Sequence, residues 1–211
     1  MRLEPECPRC RSAVTPDGAG AQCATHGPVP PLWRPREPEY DSFGEYLLRA
    51  EHLPTWLPWP MVPGWEVTDF GCVAPQDGTP RAAFVSCAGP TEPDGVVELT
   101  VVTEEPGVGL GARIAGLPIT DPGLETLEGP PAARLRVDGS SAPVWVVSTS
   151  DVPGELDRSV LAGEARGRWV WLVLRPASAA LLLKEIRELH DVSRLGPELV
   201  GLPFGQLPRS W

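Results

Sequence analysis

The sequence predicts an α+β fold: an N-terminal zinc ribbon, then a mostly antiparallel β-sheet domain with a C-terminal amphipathic helix packed on the sheet. Three observations carry this expectation. Three of the five cysteines and one of the three histidines fall within the first 27 residues. From Trp65 to Pro176, short runs rich in β-branched and aromatic residues alternate with turn-forming glycine, aspartate and proline. Beyond them, SAALLLKEIRELHDV repeats its apolar residues at helical spacing.

The first element is CPRCRSAVTPDGAGAQCATHG. Cys7 and Cys10 form one C-x2-C pair, Cys23 and His26 a C-x2-H pair, with twelve residues between them. A two-residue spacer lets a tight turn aim two side chains at one ion, and four soft or borderline donors suit tetrahedral zinc. Pro8 stiffens the first turn and Gly27 frees the second, while PDGAG at the centre suits a hairpin. A module with so few apolar residues needs the ion to fold. With all four positions filled by protein, the site is closed and structural. Iron in a rubredoxin-like site is the alternative, and the histidine ligand favours zinc. Arg11 stands where such a knuckle frequently has glycine.

The composition then shifts. PVPPLWRPREPEYD, residues 28–41, holds five prolines and no periodic apolar pattern, which predicts an extended linker. The expected division is a module at 1–27, a linker at 28–41 and a main domain at 42–211. FGEYLLRAEHL predicts a short helix over Phe43–Leu53, with Asp41 or Ser42 as N-cap and Pro54 as the stop. LPTWLPWPMVPGW follows, too rich in proline for a helix interior or a central strand. Its Trp56, Trp59 and Trp65 read as a belt over the core, or as an aromatic platform for a partner.

Seven strands are then expected, at 65–74, 81–89, 95–105, 133–139, 143–150, 158–166 and 168–176. DGSSAP and RGR supply hairpin turns. In RWVWLVLRP both alternating faces are apolar, which predicts a central strand with at least one helix or loop layer over it. The helix over 178–192 would have Ser178 as N-cap, a stripe of Ala179, Leu182, Leu183, Ile186 and Leu189, and a Lys184–Glu188 pair on its wet side. Cys72 and Cys87 fall on strands as small buried hydrophobes.

Function is less legible. A formal net charge of −10 repels phosphate backbones and anionic lipid, and residues 1–36 lack a clustered basic face, so nucleic acid is not an expected partner. No apolar run is long enough to span a bilayer. The start MRLEPECP carries no secretory signal, and the thiols read as reduced, so a cytoplasmic location is expected. His52 and His190 lack any nucleophile or metalloprotease motif around them. TEEPGVGLGARIAG places Gly107, Gly109, Gly111 and Arg113 after a strand, where backbone amides could cradle phosphate with Arg166 as a second cation. It matches no dinucleotide or P-loop pattern, and tight connection is the blander reading.

Together CPxC…CxxHG, WLPWPxxPGW, GVGLGAR and GEARGRW resemble a family of uncharacterised proteins from high-GC Gram-positive bacteria. The resemblance implies a cytosolic protein with a zinc-ribbon-like segment and a main domain of unknown function. The leading reading is a non-enzymatic zinc protein with a structural or protein-contact role, its contacts made by the ribbon or the tryptophan segment. The alternative is a domain that binds or transforms an anionic or phosphorylated small molecule through Gly107, Gly109, Gly111, Arg113 and Arg166.

Overall fold

Alternating apolar residues between Trp65 and Pro176 produce the long strands that organise this protein. The structure is a computed structural model that describes residues 3–18, 20–76, 78–92, 94–154, 156–184, 186, 188–207 and 211. In chain order the elements are β1 (Leu3–Glu6), β2 (Val14–Asp17), β3 (Gly20–Cys23), β4 (Gly27–Val29), β5 (Leu32–Pro35) and helix α1 (Tyr40–Arg49). Next come β6 (Trp56–Pro58), β7 (Glu66–Val73), β8 (Ala82–Thr91), β9 (Gly95–Glu104) and helix α2 (Leu110–Ala115). The last strands are β10 (Ala133–Val137), β11 (Ser140–Ser150), β12 (Arg158–Ala165), β13 (Arg168–Arg175) and β14 (Glu188–Asp191).

Eleven strands form one sheet in the order β1-β5-β7-β8-β9-β13-β12-β11-β10-β14-β6, and β2-β3-β4 form a second, small sheet. The seven expected strands correspond to β7 to β13. The hairpin turns lie where DGSSAP and RGR place them: Asp138 and Gly139 have φ of 47° and 80°, and Arg166 and Gly167 have 55° and 76°. Two successive positive φ values match the twist of the flanking strands, which is why short hairpins use them.

The strand β13 occupies the middle of the large sheet, and its two apolar faces serve two cores. Val170, Leu172 and Leu174 join Val85, Val101, Trp56 and Phe70 on one face. Trp171 and Val173 join Phe84, Val102, Leu110 and Ile114 on the other. The helix α2 covers the second face. Over the first, α1 packs on β7 while β6, the far edge in strand order, reaches back to β8 and β9. The sheet therefore curls around its larger core. α1 starts earlier than expected: Glu39 is its N-cap, and the Ser42 hydroxyl accepts from the Glu39 N–H at 3.2 Å.

Two expectations fail here. The segment 28–41 is not merely a linker. Within it, β5 is buried at all four positions and pairs with both β1 and β7. Its Pro35 lies at the strand end, and Pro31 precedes the strand, where a missing N–H breaks no ladder. The first strand of the N-terminal segment is thus an edge of the main sheet.

The C-terminal helix is not formed either. Ala177–Lys184 is 3-10 helical and Glu188–Asp191 is a strand; Glu185 and Arg187 of the expected helix lie outside the described residues. Leu189 is buried as foreseen, but as a strand residue between Val137 of β10 and Pro58 of β6. Pairing with two strand edges satisfies backbone groups that a helix would leave open on both neighbours, and this outweighs local helix propensity. Ser178 does not cap a helix; its hydroxyl donates to Asp94 at 2.6 Å.

Candidate metal centre

The four predicted ligands converge. Cys7 and Cys10 lie on the turn after β1, Cys23 ends β3, and His26 precedes β4. Their ligand atoms all fall within 4.8 Å of one another. The Cys10 and Cys23 sulfurs are 3.7 Å apart, and His26 Nδ1 lies 3.5 Å from the Cys7 sulfur and 3.7 Å from that of Cys23. An ion bound tetrahedrally at about 2.3 Å to sulfur sets its sulfurs about 3.8 Å apart, so the spacing fits a four-coordinate ion. The Arg9 N–H donates to the Cys7 sulfur at 3.4 Å, as a knuckle turn requires. Burial works against the Cys23 thiolate, yet backbone N–H groups of His26 and Thr25 outweigh it and bring the thiol down to about 7. Gly27, with φ of 69°, turns the chain out of the second pair.

Three thiols and an imidazole can therefore hold a metal ion, and the protein supplies all four positions. Cys7 and Cys23 are buried, with Val29 and Val14 packed against them. This apolar patch is small, so the ion rather than a core would hold the turns together.

The large sheet grips the first pair from outside. Arg9, inside the C-x2-C spacer, donates through Nε to the Val108 carbonyl at 3.1 Å and through Nη2 to the Gly107 carbonyl at 2.6 Å. Arg113, from α2, reaches back: it donates to the Cys7 carbonyl and ion-pairs with Glu6 at 2.6 Å. The Trp211 ring completes this corner. It lies 3.9 Å from the Arg34 guanidinium carbon, 5.1 Å from that of Arg113, and edge-on to Phe84. Arg34 is buried and pairs with Asp69.

A family described only as a family of unknown function, DUF6758, matches residues 1–210. The chain belongs to that family. No curated protein and no solved structure matches it. The DUF6758 match spans the small sheet and the large one together, in keeping with the physical joint just described.

In this DUF6758 chain the glycine-rich loop is engaged from within. The Gly107 N–H donates to both carboxylate oxygens of Asp121, at 2.9 and 3.0 Å. The N–H groups of Leu110 and Gly111, at the start of α2, donate to Glu104 at 2.8 and 3.2 Å. Burial pushes the Glu104 carboxyl from an ordinary 4.5 up to about 7, against the pull of those two donors. Gly107 and Gly109 have φ of 85° and 83°, a conformation that favours glycine, while the carbonyls of Gly107 and Val108 face Arg9.

Arg113 and Arg166 are not brought together. Arg113 serves the corner beneath α2, on the face of Trp171. Arg166, on the β12–β13 turn, pairs with Asp138 at 3.2 Å and borders a recess floored by Thr103 on the opposite face. Trp56 and Trp65 are buried and Trp59 is half-buried, which favours the belt over the platform. Cys72 and Cys87 are buried, and burial pushes the Cys72 thiol up to about 12 and Cys87 upward as well. His190 lies on β14, not on a helix, and His52 is exposed.

Sequence reasoning missed Glu6, Arg9, Arg34 and Trp211. Arg9 and Glu6 flank Cys7, but nothing in their spacing marks partners about one hundred residues away. Among the described residues, no helix is long and apolar enough to cross a membrane.

Proposed function

We propose that Cys7, Cys10, Cys23 and His26 bind one zinc ion with a structural role, in a non-enzymatic cytoplasmic protein. The observation that carries this reading is the closed donor set. Three sulfurs and one nitrogen converge from two turns, leaving no position for water or substrate. Zinc is preferred to iron because imidazole joins the thiols. All five cysteines are free thiols, in keeping with a reducing compartment. The ion fixes the turn that carries Arg9, and with it the joint between the small sheet and the glycine-rich loop. The large sheet and this joint would then offer a rigid surface for a protein partner, with the exposed side of the small sheet as its contact.

Elemental analysis of the freshly purified chain tests this. About one zinc per chain is expected, lost in the Cys7→Ser, Cys10→Ser double variant. The cobalt-substituted protein should give the intense visible bands of tetrahedral thiolate coordination. Metal-free protein, or iron with ferric–thiolate colour, would overturn the assignment.

A further inference from the structure

On the face of the sheet away from α2, several elements end around one recess of about 300 Å³. His52 follows α1, Trp56 opens β6, Arg166 and Arg168 flank the β12–β13 turn, Asp191 closes β14, and Arg194 follows it. Three guanidinium groups thus meet in a chain whose formal charge is −10.

The carboxylates nearby are already committed. Asp191 Oδ1 accepts from the N–H groups of Thr55 and Ser193 at 3.0 and 3.2 Å and from the Ser193 hydroxyl at 2.6 Å, while Oδ2 holds Arg194 at 3.1 Å. Asp138 accepts from the Asp191 N–H at 2.9 Å and the Trp56 indole at 3.4 Å, and holds Arg166 at 3.2 Å. Each acid anchors one arginine to the wall. Arg168 is left over: its Nε is buried and has no hydrogen-bond partner among the described residues. Native interiors rarely leave such a donor without an acceptor.

We propose that this recess binds a small phosphate-bearing anion, either inorganic phosphate or a compact phosphate monoester, with Arg168 as the principal contact and Arg166 and Arg194 beside it. Guanidinium forks arriving from the β12–β13 hairpin and from the segment after β14 suit a tetrahedral dianion, which offers acceptors in several directions. A carboxylate offers them in one plane. The volume lies at the lower end for ligand pockets, which suits a compact ligand rather than a nucleotide. This assignment is independent of the zinc reading, because the recess and the cysteine cluster lie on different parts of the chain.

Isothermal titration of the full, metal-loaded chain tests it, using inorganic phosphate, glycerol phosphate and succinate at matched ionic strength. Saturable binding of a phosphate species, tighter than succinate, is expected. Arg168→Met keeps the aliphatic stem and should weaken that binding at least tenfold with metal content unchanged. Arg81→Met, which removes an arginine paired elsewhere with Glu105, should leave it intact. If Arg168→Met fails to fold, Arg194→Met carries the same expectation, since that side chain is 75% exposed. Tighter binding of the monoester would assign a metabolite, and tighter binding of phosphate the ion itself. The proposal is overturned if nothing saturates, if succinate binds equally well, or if the arginine variants bind like the parent.

Discussion

Arg113 donates a hydrogen bond to the backbone carbonyl of Cys7, 106 residues away in sequence, and the same guanidinium ion-pairs with Glu6 at 2.6 Å. The first turn of the candidate metal site is therefore held by α2 on the large sheet.

Replacing this arginine tests how far the two sheets depend on each other. The Arg113 side chain is 4% exposed and that of Glu6 is 23% exposed. Arg113→Ala leaves a largely buried carboxylate with the Arg34 guanidinium 4.0 Å away. Removing one partner of a buried pair costs up to about 3–5 kcal/mol, and the partial exposure of Glu6 brings the expectation to about 2 kcal/mol. Urea unfolding should show the lower midpoint. Loss of metal to a chelator should quicken about tenfold, because the turn loses an outer support. Unchanged chelation kinetics would mean that the small sheet holds its ion unaided.

Gly111 sets two physical effects against each other. Within a helix, alanine outranks glycine by about 1 kcal/mol, so propensity alone makes Gly111→Ala stabilising. A Cβ at this position would, however, overlap the indole of Trp171. Trp171 is fully buried in the centre of the sheet and cannot withdraw. Overpacking costs about 1–3 kcal/mol or more, so the variant should melt several degrees lower. A higher melting temperature would show that α2 lies less tightly on the sheet than described.

Glu104 gives a pH dependence whose sign follows from its burial. Its folded pKa, about 7, lies above the ordinary 4.5, so the folded state holds a proton that the unfolded chain has lost. The associated stability is present at low pH and falls as pH rises from 4.5 through 7. A shift of this size corresponds to roughly 3 kcal/mol at most. Unfolding midpoints of the parent and Glu104→Gln, compared between pH 5.5 and 8, should show the parent's relative stability declining upward. A gap that is constant, or that widens with pH, would refute the assignment.

The strands β7 to β13 were readable because each has its own alternation and its own turn residues, both local signals. The same holds for the cluster of three cysteines and His26, whose two-residue spacers are each a property of a single turn. Leu189 shows where such reading stops. Its helical spacing from Leu182 and Ile186 is real, but its neighbours in space are Val137 and Pro58. Partners that distant leave no periodic trace. Likewise the prolines of residues 28–41 signalled a linker, yet Leu32 and Trp33 fill strand positions opposite Val73 and Cys72.

By itself, the sequence determined the cluster of Cys7, Cys10, Cys23 and His26, the hairpins and the two-faced central strand, since each depends on residues close together in the chain. Only the tertiary structure decided what the arginines do. Arg9 and Arg113 fasten the cysteine turn to the sheet, Arg34 lies buried against Asp69 and Trp211, and Arg168 borders a recess with its Nε unpartnered among the described residues. A guanidinium on a long flexible stem can take any acceptor within reach, so its role is set by which strands the fold brings beside it.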